Sequence, residues 1–156
     1  MKKLICLLMI ACLLIPTAVA DSAPQLDSKM FDYAKRALYC LASGEYGRLV
    51  THLPFSDVSP SADEWESFVG NFRELSEPQS EYAVAYWNGA CWNVAVPVYE
   101  PTDSNVEVFV LTSFDGVSFS GYRYDIWGQI EFEYAHSEHV TWNKEYAGST
   151  PMVFIG

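Results

Sequence analysis

The period of the hydrophobic pattern changes once along this chain, near Tyr82, and this change limits the possible folds more than any other feature. Upstream of Tyr82, apolar residues recur every three or four positions, which is typical of helices that bury one face. Downstream they alternate with a period of two, which is typical of half-buried strands. Helices that precede strands, rather than alternate with them, indicate an α+β fold. We therefore predict three N-terminal helices packed on a curved, cone-like antiparallel sheet of four to six strands.

The first two helices are predicted from their end signals. The first has Asp27 or Ser28 as its N-cap, because a short polar side chain there satisfies a free backbone N–H group, and Ser43-Gly44 ends it. The second is short, covers residues 45–53 and ends at Pro54, which lacks the N–H donor that a helix interior needs.

The third helix has the best start signal in the chain. Ser61-Ala-Asp-Glu64 fits a capping box, in which the Ser hydroxyl and the Glu carboxylate each satisfy a free backbone N–H of the first turn. Trp65, Phe72 and Leu75 share one face at helical spacing, so this helix is expected to continue to Glu77-Pro78.

A first hairpin is predicted directly after the change of period. Residues 82–87 and 91–99 alternate, and Asn88-Gly89 between them favours a tight turn because both residues accept positive φ angles. Pro97 in the second strand indicates an edge position or a bulge, since proline donates no hydrogen bond to a neighbouring strand.

A second hairpin of the same design is predicted from residues 106–114 and 117–126, with Asp115-Gly116 as its turn. Residues 130–134 and 139–142 alternate as well, and they are expected to add one or two strands.

The N-terminus has the pattern of a secretory signal peptide. Lys2-Lys3 precedes an apolar run from Leu4 to Ile15, and Ala18-Val19-Ala20 supplies the small residues that signal peptidase requires. We expect residues 1–20 to be removed and the protein to be secreted or periplasmic. Lipidation at Cys12 and an uncleaved membrane anchor are the alternatives.

Cleavage would leave residues 21–156 as a single acidic domain. Loss of Lys2 and Lys3 leaves seven basic side chains against the twenty acidic ones, a formal charge of −13. Such a charge repels nucleic acid and anionic membrane surfaces, and it attracts a basic protein or peptide. No motif in the chain indicates a bound cofactor.

Two cysteines remain after cleavage, Cys40 in a helix pattern and Cys91 in a strand pattern. In an oxidising compartment they form a disulfide if the fold brings them together, and otherwise they are two free thiols. Sequence alone leaves both readings open.

The order of these elements resembles the ketosteroid-isomerase-like, or nuclear-transport-factor-like, cone fold. The resemblance lies in the segment Leu38-Tyr39-Cys40-Leu41-Ala42-Ser43-Gly44-Glu45-Tyr46, in the helix centred on Trp65 and in the hairpins after it, and it covers residues 27 to about 126. It implies either a non-catalytic pocket domain or an enzyme in which a carboxylate base and a Tyr or acid donor face each other in an apolar pocket.

Two sets of residues are candidates for chemistry. Asp125 and Tyr124 are the least arbitrary carboxylate and tyrosine for acid–base catalysis, while Glu133, His136 and His139 recur every three residues and are candidate metal ligands. A solvated Asp beside a core Tyr, and partly exposed loop histidines, are the ordinary interpretations of both sets.

The sequence therefore favours an exported, non-catalytic domain that binds a small ligand or a basic protein, as an inhibitor or immunity protein does. A small acid–base enzyme with an aromatic pocket is the alternative.

Overall fold

The computed structural model describes residues 22–75 and 82–143, where four helices pack against a five-stranded antiparallel sheet that is not closed into a barrel. This α+β arrangement confirms the predicted fold class. The predicted signal peptide lies outside the described residues. The helices are α1 (Lys29–Ser43), α2 (Tyr46–His52), α3 (Ala62–Val69) and α4 (Trp127–Ala135). The strands are β1 (Val84–Trp87), β2 (Trp92–Pro97), β3 (Glu107–Ser113), β4 (Gly121–Ile126) and β5 (His139–Trp142).

The strands lie in the order β4-β3-β2-β1-β5, so β2 is central and β4 and β5 form the edges. Because side chains alternate along a strand, each face of the sheet has its own core. On one face Ala85, Val94 and Phe109 pack under α1, α2 and α3. On the other, Tyr86 and Val110 are among the residues that pack under α4.

The ends of α1 agree with their sequence signals. The Asp27 carboxylate accepts a hydrogen bond from the Lys29 backbone N–H at 3.0 Å, while Ser28 makes no capping bond with its side chain. Gly44 ends the helix with a φ of 71°, a conformation that glycine adopts without steric cost. This turn reverses the chain into α2.

The capping box of α3 is confirmed, but the predicted length of this helix is wrong. Ser61 accepts a hydrogen bond from the Glu64 backbone N–H, and the Glu64 carboxylate accepts one from the Ser61 N–H. The helix ends at Val69, with Gly70 as its C-cap. Phe72 is therefore not helical, although its side chain is still buried.

The first hairpin forms with a turn shifted by one residue. Trp87 pairs with Trp92, so Gly89 and residue 90 occupy the centre of the turn, and the Asn88 side chain accepts the N–H groups of residues 90 and 91. Pro97 lies in the central strand, where it pairs with Val108. Pairing with β1 ends at Ala95, so the missing N–H of the proline costs no hydrogen bond on that side.

Residues 127–135 form α4, so the strand predicted over 130–134 is wrong. Trp127, Ile130 and Tyr134 lie on one face at helical spacing and pack on the sheet. Phe132, which strand alternation would place beside Ile130, is 62% exposed on the far side. The strand predicted over 139–142 is confirmed as β5.

The second hairpin has a longer connection than predicted. Strand β4 starts only at Gly121, because Phe119 leaves the hairpin and forms a parallel bridge with Phe55. The Asp115 carboxylate organises the connection: it accepts hydrogen bonds from the backbone N–H groups of Val117 and Ser118, at 2.9 and 2.8 Å, and from the Ser113 and Ser118 hydroxyls.

Replacing Asp115 with Ala should therefore lower the free energy of unfolding by about 1–2 kcal/mol, because a charged acceptor of several local hydrogen bonds is lost. Burial raises the pKa of Asp115, but the bonds from Ser118 and Val117 outweigh it and lower this pKa to about 2, against 3.8 ordinarily. The carboxylate thus contributes stability above about pH 4 and loses it as the pH falls towards 2. Urea unfolding of parent and variant at pH 6 and pH 3 should show a smaller difference at pH 3.

The control for this measurement is Asp57→Ala, which removes the same charge from an exposed position outside the loop. It should change the free energy of unfolding by less than about 0.5 kcal/mol. An Asp115→Ala variant as stable as this control at pH 6 would contradict the role of the carboxylate.

Candidate functional site

A groove of about 690 Å³ lies between α1 and α2. Its floor is apolar, because Ala37 of α1 and Leu49 and Leu53 at α2 are buried there. Its rim is polar and aromatic. The remaining lining residues are Tyr33, Arg36, Tyr39, Cys40, Arg48, Thr51 and His52.

Helical spacing explains why these residues meet. Tyr33, Arg36 and Cys40 are three, four and seven positions apart, so they form one stripe beside the buried face of α1. Arg48 and His52 are four apart on α2. A bond of 2.9 Å from the residue 45 backbone N–H to the Cys40 carbonyl closes the turn between the helices.

The groove concentrates positive charge in an acidic chain. Its lining holds two of the nine lysines and arginines, Arg36 and Arg48, and none of the twenty acidic residues. Arg48 contacts Glu45 at 2.7 Å, and its side chain remains 65% exposed. Arg36 is exposed and makes no ion pair with any residue that the structure describes.

Cys40 lines this groove as a protonated thiol. Burial, followed by the negative charge of Glu45, raises the pKa of Cys40 above its ordinary value, and Arg48 opposes this only in part. A thiol in this state is a weak nucleophile at neutral pH.

Cys40 and Cys91 are free thiols in the structure, so the disulfide reading of the sequence is not supported. Cys40 belongs to α1, above one face of the sheet. Cys91 directly precedes β2, and its sulfur contacts the side chain of Asn93 in that strand. Asn93 lies on the face that α4 covers, and the sheet therefore separates the two thiols.

A second polar cluster lies between α4 and the sheet, around Arg123 of β4. The Arg123 guanidinium donates to Asn93 at 2.5 Å, to the Tyr86 hydroxyl at 3.1 Å, to Glu133 at 2.8 Å and to Asp125 at 3.2 Å. The Tyr86 hydroxyl also donates to Glu133. Burial and this bond raise the pKa of Tyr86, so the phenol stays protonated. The cluster joins α4 to β1, β2 and β4.

Tyr124 and Asp125 point to opposite faces of the sheet, because they are adjacent on one strand. Asp125 joins the Arg123 cluster, whereas the Tyr124 hydroxyl donates to Glu107 at 3.0 Å on the other face.

Glu107 is only 7% exposed and also accepts the backbone N–H of Arg73. Burial raises the pKa of Glu107, but the hydrogen bonds from the N–H groups of residues 73 and 74 outweigh burial. The net pKa is below its ordinary value, so this carboxylate is ionised at neutral pH.

The structure does not bring the candidate metal ligands together. Glu133 faces Tyr86 and Arg123, the His136 ring lies tilted at 4.4 Å from that of Phe132, and His139 begins β5. Across residues 22–75 and 82–143, no group of three or more His, Cys, Asp or Glu side chains is placed to hold a metal ion.

No family model, curated protein or solved structure matches this chain. The resemblance to the cone fold therefore stays a prediction that rests on the order of elements. No helix among the described residues is long and apolar enough to cross a membrane.

Sequence reasoning missed the groove as a site, although both of its helices were predicted. The feature of the sequence that indicates this groove is the net charge of residues 29–52, which is opposite in sign to that of the rest of the chain. The Arg123 cluster has no such signal, because its members come from three strands and from a helix whose sequence alternates like a strand.

Proposed function

We propose that this chain is an exported, non-catalytic binding domain that takes a small ligand or a protein partner. The observation that carries the proposal is the α1–α2 groove, whose volume lies in the range of roughly 300–1,000 Å³ that is common for small-molecule sites. An apolar floor with a few polar groups at the rim is the usual composition of such sites.

The state of the hydrogen-bonded carboxylates Glu107 and Glu133 supports a binding role over acid–base catalysis. A catalytic base at neutral pH needs a raised pKa and access to substrate. Glu107 has a lowered pKa and its oxygens are occupied by hydrogen bonds. Glu133 is bound by Arg123 and Tyr86, so neither carboxylate resembles a free base in an apolar pocket.

The acidic remainder of the chain suits a basic protein partner of the kind that an inhibitor or immunity protein masks. Outside residues 29–52 the chain has eighteen acidic residues against five lysines and arginines. The negative electrostatic potential of such a surface accelerates the encounter with a positively charged protein.

Native mass spectrometry tests the proposal on the protein purified without denaturation from the exported fraction of its own cells. We expect a non-covalent adduct, either a small molecule or a protein, that is lost on unfolding. Protein without an adduct that instead turns over a compound from the same fraction would contradict the proposal and favour the acid–base enzyme.

Salt dependence then separates the two kinds of partner. The association rate constant of a basic protein should fall severalfold from low to high ionic strength, because exposed charges are screened beyond roughly 8–10 Å at physiological salt. Surface plasmon resonance at increasing salt measures this rate. A protein complex that forms at the same rate at every salt concentration would contradict electrostatic attraction by the acidic surface.

A further inference from the structure

We propose that the α1–α2 groove binds a small amphipathic anion, with its apolar part on the floor of Ala37, Leu49 and Leu53 and its anionic group at the rim of Arg36, Arg48 and His52. This inference rests on the proposed binding function and names the chemical class of the ligand.

The floor of the groove favours an apolar body. Ala37, Leu49 and Leu53 are at most 8% exposed, and Tyr33 adds an aromatic ring at the side. An aliphatic or aromatic group that lies on this floor loses contact with water on its own face, which is favourable in proportion to the ligand area that is covered.

The rim of the groove favours a negative charge. Arg36 has no ion-pair partner among the residues that the structure describes, and Arg48 is shared only with Glu45. Guanidinium groups bind carboxylates and sulfonates through two parallel N–H donors. The remainder of the chain is acidic and repels anions, so an anion that approaches this protein is directed to the groove.

The test uses two fluorescent probes that differ by one charged group: 8-anilinonaphthalene-1-sulfonate and its neutral parent, N-phenyl-1-naphthylamine. Titration of the purified protein at low salt should show tighter binding of the sulfonate, by about fivefold, because an exposed ion pair of good geometry contributes about 1 kcal/mol.

Two charge variants make the test specific to the groove. Arg36→Gln should weaken binding of the sulfonate about fivefold and leave the affinity of the neutral probe unchanged. Lys29→Gln removes the same charge from an exposed position on the same helix that does not line the groove, and it should change neither affinity by more than about twofold. Equal affinities for the two probes, or equal effects of the two variants, would overturn the proposal.

The two partly exposed thiols report where the probe binds. Cys40 lines the groove and Cys91 does not, so the bound sulfonate should slow alkylation of Cys40 by N-ethylmaleimide and leave that of Cys91 unchanged. Peptide mass spectrometry measures both rates in one sample. Equal slowing at both thiols, or none at Cys40, would place the probe elsewhere and overturn the proposal.

A sedimentation assay distinguishes a free anion from a lipid headgroup. Binding to phosphatidylglycerol vesicles that Arg36→Gln abolishes, with no binding of the free sulfonate, would overturn the assignment to a small molecule. If both probes fail to bind while native mass spectrometry still finds an adduct, the groove proposal fails and the binding function stands.

Discussion

Replacing Trp65 with Ala should lower the free energy of unfolding by about 3–5 kcal/mol, the cost of removing a large aromatic side chain from a core. Trp65 is fully buried at the centre of an aromatic cluster. Its ring lies 4.3 Å from that of Tyr122 and 6.0–6.2 Å from those of Phe55, Phe68 and Phe109. The cavity would therefore open between α3 and the sheet, where several elements depend on one side chain. Chemical denaturation followed by circular dichroism measures the loss.

Two further variants test this explanation. Glu66→Ala changes the next residue of the same helix, which is exposed, and should cost less than about 0.5 kcal/mol. Trp65→Phe should cost less than Trp65→Ala, because it keeps a ring and removes an indole N–H that has no hydrogen-bond partner among the described residues. A Trp65→Ala variant as stable as Glu66→Ala would show that the Trp65 side chain does not pack between α3 and the sheet.

Phe72 shows how a correct burial prediction can accompany a wrong helix. Its seven-residue spacing from Trp65 predicted one helical face, yet the helix ends before Gly70. Phe72 is buried all the same, because its ring packs edge-on against Phe68 at 5.6 Å and Tyr124 at 5.1 Å. Glu107 holds the following backbone through the N–H groups of residues 73 and 74. These contacts connect distant parts of the sequence, so no local pattern shows them.

Local signals were predictable where all of the interacting groups lie within a few residues. The capping box at Ser61 and Glu64 and the C-cap at Gly44 are examples, and both were confirmed. The segment 130–134 is the counter-example. Ile-Glu-Phe-Glu-Tyr alternates like a strand, but Trp127, Ile130 and Tyr134 also fit one face of a helix. The helix forms because that face covers the apolar surface of the sheet, which is tertiary information.

The groove was predictable in its parts and not in its geometry. The sequence placed Arg36 on one helix and Arg48 and His52 on the next, with a glycine turn between them. Whether two such helices leave an open groove depends on how each packs on the sheet. Besides this placement, sequence alone contains the excess of positive charge in residues 29–52.

Replacing Arg123 with Met should lower the free energy of unfolding by about 2–3 kcal/mol. The substitution keeps most of the volume but leaves Glu133, Tyr86 and Asn93 without their shared donor, and a polar group deprived of its partner costs more than the bond itself contributed. The expected cost lies below that of a fully buried ion pair because the Arg123 side chain is 33% exposed. Hydrogen exchange should speed up in α4 more than in α1.

A double-mutant cycle separates two contributions to the lost stability: the removal of the Arg123 guanidinium and the cost of leaving the Glu133 carboxylate unpaired. Adding Glu133→Leu to Arg123→Met should recover part of the lost stability, because the second change removes the unpaired carboxylate. Asp125→Asn alone should cost less than about 1 kcal/mol, since it removes only one partner of Arg123 near the surface. If the two single changes at Arg123 and Glu133 were simply additive, the cluster would not act as a unit. The attachment of α4 to the sheet would then rest on the burial of Trp127 and Ile130 alone.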